Sequence, residues 1–305
     1  SEMNWPFTRA EGSVDVIAGK QLYSHASIAS TLKYVDYDNM FLKPKDYITN
    51  GNFEIAGTAS ITNWTTVSGS PAASSKFGNT LLLTSAEASQ EVSDLIVGRS
   101  YVIITQTSGA TLTLEVGTSS GGSQTKSSTL TISSGNEVLL SETTFTATAT
   151  THYVSFTEAA GSAAFVKLVE LSEDVASIPL KYLSYEEYNE SFRERDSRPD
   201  TDKFADPEYV YTTYNNEIGL TPIPDTSNRT LEFDYYVSHT DLSGATDTSI
   251  IPTRFEPVIN SRAKYYTHIF RSDVQSAQFS LKEYDDGIKR MRVELLNRKN
   301  YMRAV

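Results

Sequence analysis

VQSAQFSLKEYDDGIKRMRVEL, residues 274–295, has apolar side chains spaced alternately three and four positions apart. This spacing places them on one narrow stripe of an α-helix, with the charged residues on the opposite face. Opposite charges one turn apart on that face are typical of a solvated surface. The pattern therefore predicts a long amphipathic helix that buries one side. The stripe consists of Val274, Ala277, Leu281, Tyr284, Ile288, Met291 and Leu295.

A second helix is predicted immediately upstream. Pro252 is followed by Thr253-x-x-Glu256, a capping-box pattern, and apolar residues recur from there to Phe270. Asp273 lies between the two stripes and is a candidate cap for the helix that follows. The chain is thus predicted to close with a helical hairpin. Its regular stripe has two interpretations, one face of an ordinary core or a surface that packs against neighbouring subunits.

Bulk composition excludes several classes of protein. The chain has 305 residues, enough for two domains, and its lack of cysteine excludes disulfides and thiolate metal sites. The net charge of −12 repels a phosphate backbone, so sequence-specific binding of nucleic acid is not expected. No apolar run approaches the roughly 20 residues that a membrane-spanning helix needs.

The middle of the chain differs in composition from both ends. Between Asn50 and Leu171 charged residues thin out, and Ser, Thr, Gly and Ala form short alternating runs separated by turns. This pattern favours an antiparallel β-sandwich. The N-terminal segment predicts strands without a helix signal. The predicted domains are therefore 1–47, an inserted sandwich at 48–172, and 173–305, in an overall α+β fold.

The third segment predicts mixed structure before the hairpin. A short helix from Tyr185 to Arg193 is expected to begin at Ser184, with Glu187 completing a capping box. A polar loop follows to Asp206, and antiparallel strands separated by turn residues come next.

The inserted segment resembles the jelly rolls of carbohydrate-binding modules. Asn50-Gly51-Asn52-Phe53-Glu54, Trp64, Gln90, Leu95, Gly98 and Tyr101 carry this resemblance. It implies a structural calcium near Asn52 and Glu54 and raises the question of a sugar site. Sugar faces stack on exposed aromatic rings, and Trp64 is the candidate contact, with a place in the sandwich core as its alternative.

An ordered set of motifs runs through the two flanking segments. They are Pro179-Leu180-x-Tyr182-Leu183-Ser184, Leu220-x-Pro222-x-Pro224-Asp225, Leu231-x-Phe233-x-Tyr235-Tyr236, Asp241-Leu242-Ser243, Asp247-Thr248 and Ile251-Pro252-x-x-Phe255. Together with Trp5-Pro6-Phe7, they resemble the head-to-tail adaptors of short-tailed bacteriophages, the tail tubular protein A family. The resemblance covers about 4–47 and 174–305. That family usually has helices before the Trp-Pro-Phe motif and lacks the sandwich.

This resemblance implies a structural virion protein located at the head–tail junction. Copies would form a ring, usually of twelve subunits, that joins the portal to the tail nozzle and fibres and lets genome DNA pass through its bore. The helical stripe would pack against neighbouring subunits. A basic C-terminal contact with the portal is the further expectation, with complementation of the helix dipole as its alternative. Its residues are Lys289, Arg290, Arg292, Arg298, Lys299 and Arg303.

Motifs for catalysis are not found in the sequence. The histidines His25, His152, His239 and His268 share no spacing, and Walker, nucleophile-elbow and dinucleotide patterns are missing. Asp200-x-Asp202-x-x-x-Asp206 lacks the glycine and glutamate of an EF-hand, which favours a solvated loop. The carboxylates of the sandwich, Glu91, Glu115, Glu137 and Glu142, are too dispersed in sequence to nominate a hydrolytic pair. The alternative function is a glycan- or receptor-binding tail protein that acts through the sandwich, with no enzyme activity expected in either case.

Overall fold

The computed structural model describes residues 5–28, 32–132, 138–198, 203–238, 244 and 248–295. The chain divides into two compact units. We call the first unit the body; it comprises 1–42, 179–227 and 231–305. We call the second unit the sandwich; it comprises 43–178 with 228–230. The sequence-based boundaries of 48 and 172 lie within six residues of these limits.

The elements follow one another along the chain with strands first and helices last. In chain order they are a 3-10 turn (Pro6–Thr8), β1 (Arg9–Asp15), β2 (Leu22–Ser24), α1 (His25–Ile28), β3 (Leu32–Pro44), β4 (Glu54–Ile55), β5 (Thr58–Ala59), β6 (Thr65–Ser68), β7 (Ala72–Ser74), β8 (Thr80–Leu83), β9 (Ala86–Val92), β10 (Ser100–Gly109), β11 (Leu112–Gly117), β12 (Lys126–Leu130), β13 (Leu139–Thr146), β14 (His152–Glu158), β15 (Ala164–Glu173), β16 (Ile178–Pro179), β17 (Lys181–Leu183), α2 (Tyr185–Ser191), α3 (Arg193–Ser197), β18 (Tyr209–Thr212), β19 (Glu217–Thr221), β20 (Arg229–Val237), a 3-10 turn (Thr253–Phe255), α4 (Glu256–Phe270) and α5 (Val274–Leu295).

The sandwich is built from two five-stranded sheets around one core. Their strand orders are β13-β10-β15-β8-β7 and β12-β11-β14-β9-β6. Alternate side chains of both sheets enter the same apolar cluster, because successive residues of a strand point to opposite faces. The largest aromatic members of the cluster are Phe53, Trp64, Tyr101, Phe145 and Phe156.

The entry and exit of the sandwich are hydrogen-bonded to each other. The Tyr47 amide donates to the Leu171 carbonyl at 2.8 Å. One carboxylate oxygen of Asp46 accepts from the amides of Leu171 and Ile48, both at 3.0 Å. Gly51 lies so close to this crossing that a Cβ there would overlap the Val169 carbonyl oxygen. The two ends of the insertion therefore meet at one place in the sandwich.

The body contains two four-stranded sheets and the helical hairpin. The sheets have the orders β1-β20-β3-β16 and β17-β18-β19-β2. One pair in the second sheet, β17 with β18, is parallel, and the neighbouring pairs are antiparallel. The α+β fold with a closing hairpin, predicted from the sequence, is therefore confirmed. Among the described residues, no helix is both long and apolar enough to cross a membrane.

Local capping follows the sequence at two helices and departs from it at a third. Ser184 and Glu187 form the predicted capping box of α2. Asp273 accepts from the Ser276 amide at the start of α5, as predicted. The Thr253-x-x-Glu256 box is wrong, because residues 253–255 form a 3-10 turn and α4 begins without a side-chain cap.

Two short helices were not predicted. α1 lies in the N-terminal segment that carried no helix signal. α3 occupies the first part of the segment that was expected to be a loop from Arg193 to Asp206. The cause of α3 is tertiary, because Asp196 is buried and accepts from Gln21 at 2.9 Å and from Thr221 at 2.8 Å. Asp200 and Asp202 lie outside the described residues.

Candidate functional site

The predicted apolar stripe of α5 forms the inner face of the hairpin for most of its length. Ala277 and Met291 are buried, and Leu281, Tyr284, Ile288 and Leu295 are half-buried. Val274 is the exception, since it is exposed at the first turn of the helix. The stripe is thus largely consumed by packing within the chain. This burial favours the interpretation that the stripe is one face of a core, and packing of these residues against neighbouring subunits stays a prediction.

Close contact between α4 and α5 depends on a glycine. A Cβ at Gly287 would lie 2.6 Å from a methyl group of Val258. Real Cβ contacts are longer than this, so the two helices pack directly backbone to side chain at this point. The Arg262 guanidinium sits on the same side of α4, 5.0 Å from the ring centres of Tyr265, Tyr266 and Tyr284.

The base of the hairpin lines an apolar cleft of about 650 Å³ in the body. Phe255, Ile288 and Met291 contribute from the helices, and the Trp5-Pro6-Phe7 motif contributes its two aromatic rings. Those rings stack on each other with centroids 5.8 Å apart. The structure therefore brings together two motifs that are far apart in sequence and that both carried the adaptor resemblance.

Large apolar side chains remain exposed on the outside of the hairpin. Phe270, at the connection, is 90% exposed, and Phe279 and Val293 on α5 are 64% and 73% exposed. Scattered apolar residues are normal on a protein surface, but this many on two helices are not, because an amphipathic helix usually keeps its outer face polar. We call this set the outer apolar surface; it consists of Ile259, Tyr266, Ile269, Phe270, Val274, Phe279 and Val293.

The predicted basic contact is described only in part. Lys289 and Arg290 are exposed on α5, and Lys289 lies 3.4 Å from the Asp286 carboxylate. Arg292 is half-buried, and its Nε is buried with no hydrogen-bond partner among the described residues. Arg298, Lys299 and Arg303 lie outside the described residues. Arg292 is also the one basic residue in the last turn of α5, where a cation suits the helix dipole.

A second candidate site lies on the outer face of one sandwich sheet. The side chains of β9, β14 and β11 that do not enter the core point outward. The antiparallel register sets them in three rows, and carboxylates and hydroxyls fill most of the positions. The rows are Glu87, Thr157 and Thr113; Ser89, Ser155 and Glu115; and Glu91, Tyr153 and Gly117.

The loop between β11 and β12 covers the middle of this polar face. The Gly121 amide donates to the Ser155 hydroxyl at 3.2 Å, and a Cβ at Gly121 would lie 2.6 Å from the Glu87 carboxylate. Under the loop, Glu87 Oε1 and Ser89 Oγ are buried without a hydrogen-bond partner in the described part of the chain. Burial, together with the Glu115 carboxylate, raises the pKa of Glu87.

The sandwich residues predicted from the sequence do not form a site. Trp64 is 7% exposed, with its ring 5.4 Å from that of Phe53 and 5.8 Å from that of Phe156. The predicted sugar contact at Trp64 is therefore corrected, because a ring enclosed by the core offers no face for stacking. Its alternative, a place in the core, is what the structure has.

The predicted calcium position also has a poor set of ligands. Glu54 accepts from Asn79 at 2.8 Å, and Asn52 accepts from the Glu54 amide at 3.3 Å. Calcium takes about six to eight oxygen ligands, often from several carboxylates. Among the described residues, no group of three or more His, Asp or Glu side chains is arranged to hold a metal. The calcium near Asn52 and Glu54 therefore stays a prediction.

The polar face was missed because β9 was missed. Ala86–Val92 alternates with period two but contains one β-branched residue, so it did not resemble a strand. Without β9, Glu91 and Glu115 appeared dispersed, whereas the register places both on the same face. The signal that could have found the strand is the strict alternation of Glu87, Ser89 and Glu91 with Ala and Gln.

A family model matches more than half of the chain. The model describes the SU10 adaptor protein and matches residues 129–305, which include the hairpin and the last strands of the sandwich. The chain belongs to the SU10 adaptor family. It is therefore related to phage structural adaptor proteins. The match begins at 129, inside the sandwich, and not near residue 174 where the sequence resemblance resumed.

Solved structures resemble the chain over less than half of its length. Tailspike protein 4 of bacteriophage CBA120 is 14% identical and has a TM-score of 0.34, covering 42% of this chain and 21% of its own. TmCBM61, solved with β-1,4-galactotriose, is 20% identical, with a TM-score of 0.33 and coverage of 43% and 99%. A CBM4 structure is 14% identical, with a TM-score of 0.32 and coverage of 42% and 99%. No curated protein matches the sequence.

Proposed function

We propose that the chain is the head-to-tail adaptor of a short-tailed bacteriophage, similar to tail tubular protein A. Identical copies, twelve in this proposal, form a ring between the portal and the tail nozzle and fibres, and genome DNA passes through the bore. Membership of the SU10 adaptor family supports the structural role. The net charge of −12 suits a conduit that does not bind the DNA it carries.

The observation that carries the proposal is the outer apolar surface of the hairpin. Its seven large apolar side chains are between 40% and 90% exposed. Phe270, Phe279 and Val293 are the most exposed of them, and their apolar area is available for contact with neighbouring copies. Contact with neighbouring copies removes this area from water, which stabilises the assembly by the hydrophobic effect.

The remaining basic residues fit a contact with the portal. On a chain with a strong negative balance, a basic C-terminal end provides a local attraction for an acidic partner surface. Arg298, Lys299 and Arg303 continue the basic sequence toward the C-terminus. In this arrangement the hairpin holds the ring together and the C-terminal end faces the portal.

Native mass spectrometry of the purified chain, alone and with portal protein, tests this function. We expect a ring mass and co-assembly with the portal. The variant Phe270→Ser/Phe279→Ser should lose the ring and stay folded, because both side chains are exposed in one copy. Leu140→Ser is the matched control, since Leu140 is 65% exposed on the sandwich and should not affect assembly. A wild-type chain that stays monomeric and ignores the portal would contradict the proposal.

A second candidate function, glycan binding by the sandwich, is favoured by the polar outer face. Among the described residues, one buried oxygen of Glu87 and one of Ser89 have no hydrogen-bond partner and could accept hydrogen bonds from a ligand. Such an oxygen costs about 1–3 kcal/mol unless a partner satisfies it. Sugar hydroxyls can donate to carboxylate and serine oxygens, and the serine-rich loop that contains Gly121 would have to move aside to admit them.

A glycan array probed with the full chain tests this second function. We expect saturable binding that falls by about tenfold or more, equivalent to about 1.4 kcal/mol, in Glu87→Gln. Glu142→Gln, an exposed carboxylate on the other sheet, is the matched control. Trp64→Ala is not informative, because the loss of a core ring destabilises the whole sandwich and would weaken binding at any site on it. Binding that is equal in Glu87→Gln and wild type would exclude the polar face as the site.

A further inference from the structure

A ring of identical copies needs two different contact surfaces on each copy. When one surface meets a second, distinct surface on the next copy, the contact is heterologous and can close into a ring, whereas a surface that meets itself gives a dimer. The hairpin supplies one surface under the proposed function, on which this inference rests. The complementary surface has to lie elsewhere on the same chain.

The back of α5 has a specific chemical character. With about 100° between successive residues, seven side chains fall within an arc of about 100° that is centred opposite the buried face. Two are apolar and exposed, three are basic, and the other two are Gln275 and Asp286. Asp286 lies 3.4 Å from Lys289, and three further carboxylates lie just outside the arc, those of Glu283, Asp285 and Glu294. We call this the basic back of α5; it consists of Phe279, Lys282, Lys289, Arg290 and Val293.

The body also carries a cleft of about 410 Å³ with the opposite character. Tyr34 and Tyr182 line it and are 48% and 47% exposed. Tyr37 also lines it, with its ring 4.8 Å from that of Tyr182. Burial raises the pKa of Tyr37 to about 12, so its hydroxyl stays neutral at physiological pH. Exposed tyrosine faces attract cations through their π electrons.

Two carboxylates make the cleft acidic. Asp36 and Asp38 line it together with one cation, Lys33, which leaves a net charge of −1 because two acidic groups face one basic group. His25 also lines the cleft, and burial lowers its pKa, which favours the neutral form. We call this the tyrosine–aspartate cleft. Carboxylates next to tyrosine rings are typical of a site for lysine or arginine side chains.

We propose that the tyrosine–aspartate cleft of each copy receives the basic back of α5 from the next copy. Arg290 and Lys289 pair with Asp36 and Asp38, and Phe279 and Val293 pack on the exposed tyrosine rings. Charge complementarity favours this occupant, since the cleft has a net charge of −1 and the back of α5, where three cations surround Asp286, has a net charge of +2. Nucleic acid is a poor alternative, because the carboxylates repel phosphates.

Charge reversal in the full-length chain tests this pairing. The cleft variant is Asp36→Lys/Asp38→Lys, and the helix variant is Lys289→Glu/Arg290→Glu. Each variant alone places like charges across the contact, so native mass spectrometry should show at least a tenfold loss of assembled ring. The four-substitution variant restores opposite charges and should assemble again. An equimolar mixture of the two variants should also assemble, with the copies alternating around the ring.

Four outcomes count against the pairing, and they can be told apart. If both variants keep the wild-type ring mass while Phe270→Ser/Phe279→Ser loses it, the ring stands and this contact is wrong. If both variants lose the ring and neither combination restores it, the two surfaces do not meet. A cleft variant that keeps its ring but no longer binds portal assigns the cleft to the portal. A monomeric wild-type chain would remove the proposed function and this inference together.

Discussion

Aromatic side chains are buried in the sandwich core, whereas some of those on the hairpin are exposed. In the sandwich, Trp64 is enclosed by Phe53 and Phe156, and the unit completes its own core. In the hairpin, Phe270 is almost fully exposed, although the inner faces of the two helices are packed. The sandwich therefore completes its own core, whereas the hairpin retains exposed apolar area.

This difference separates residues that stabilise the fold of one copy from residues that stabilise contacts between copies. A substitution in the sandwich core should lower the free energy of unfolding and leave contacts between copies unchanged. A substitution on the outside of the hairpin should do the reverse. The following four changes test the separation, in order of their expected effect on the stability of one copy.

Trp64→Ala should have the largest effect. Removing a buried aromatic ring leaves a cavity and costs about 3–5 kcal/mol, so the sandwich transition should shift strongly in a denaturant titration. We expect the hairpin to keep its helical circular dichroism at denaturant concentrations that unfold the sandwich. If the two units unfold together in this variant as in the wild type, they do not behave as separate stability units.

Glu158→Gln should have the next largest effect. Burial raises the pKa of Glu158, but amide donors from Ser85, Ala160, Gly161 and Ser162, at 2.7–3.3 Å, outweigh it and leave the pKa lowered. Losing the charge weakens these bonds, and hydrogen bonds to charged groups contribute about 1.5–3 kcal/mol.

The effect of Glu158 should depend on pH in a defined direction. Because its folded pKa lies below the unfolded value of about 4.3, its contribution is complete above that pH and is lost as pH falls through the folded pKa. Thermal unfolding from pH 7 to pH 2 should therefore show the wild type and Glu158→Gln converging at low pH. A constant difference across this range would contradict the assigned role of the carboxylate.

Gly287→Ala should destabilise the hairpin by about 1–3 kcal/mol, since its new Cβ would press on Val258. The double variant Gly287→Ala/Val258→Ala removes the opposing methyl groups and should recover part of the loss. Helical circular dichroism during urea unfolding measures the stability of the single and the double variant. If the double variant costs the sum of the two single changes, the close contact between the helices is not where the structure has it.

Phe279→Ser should have the smallest effect on one copy, within about 0.5 kcal/mol, because the side chain is exposed. Its effect on the ring should be large, which sharpens the contrast with Trp64→Ala. Comparing the unfolding midpoint with the native mass of the same sample separates the two quantities. A large drop in stability with unchanged mass would place Phe279 in the fold of a single copy.

The hairpin could be predicted from the sequence because residues close together in sequence determine its helices and their ends. The spacing of three and four between Ala277 and Leu295 fixes the helix and its inner face, and Asp273 fixes its start. Which interpretation applied to the stripe could not be decided in advance, because burial against α4 and burial against another copy need the same residues. Two members of the outer apolar surface, Phe279 and Val293, do not fall on the stripe, and the sequence did not predict that Val274, which does, would be exposed.

The sites of the sandwich depended on pairing and could not be derived from local sequence. Whether Glu87 and Glu115 share a face is set by the register of β9, β14 and β11, which a single sequence does not specify. The sequence allowed two locations for Trp64, a sugar-binding surface or the core. Its contacts with Phe53 and Phe156, which are distant in sequence, place it in the core. The resemblance to tail tubular protein A stays a prediction, within the adaptor family to which the chain belongs.

The hydrogen bonds that join the two ends of the insertion have a consequence for evolution. Because Tyr47 meets Leu171 at one crossing, a module can be gained, lost or exchanged there as a single cassette. Its replacement would require only another domain whose termini are adjacent.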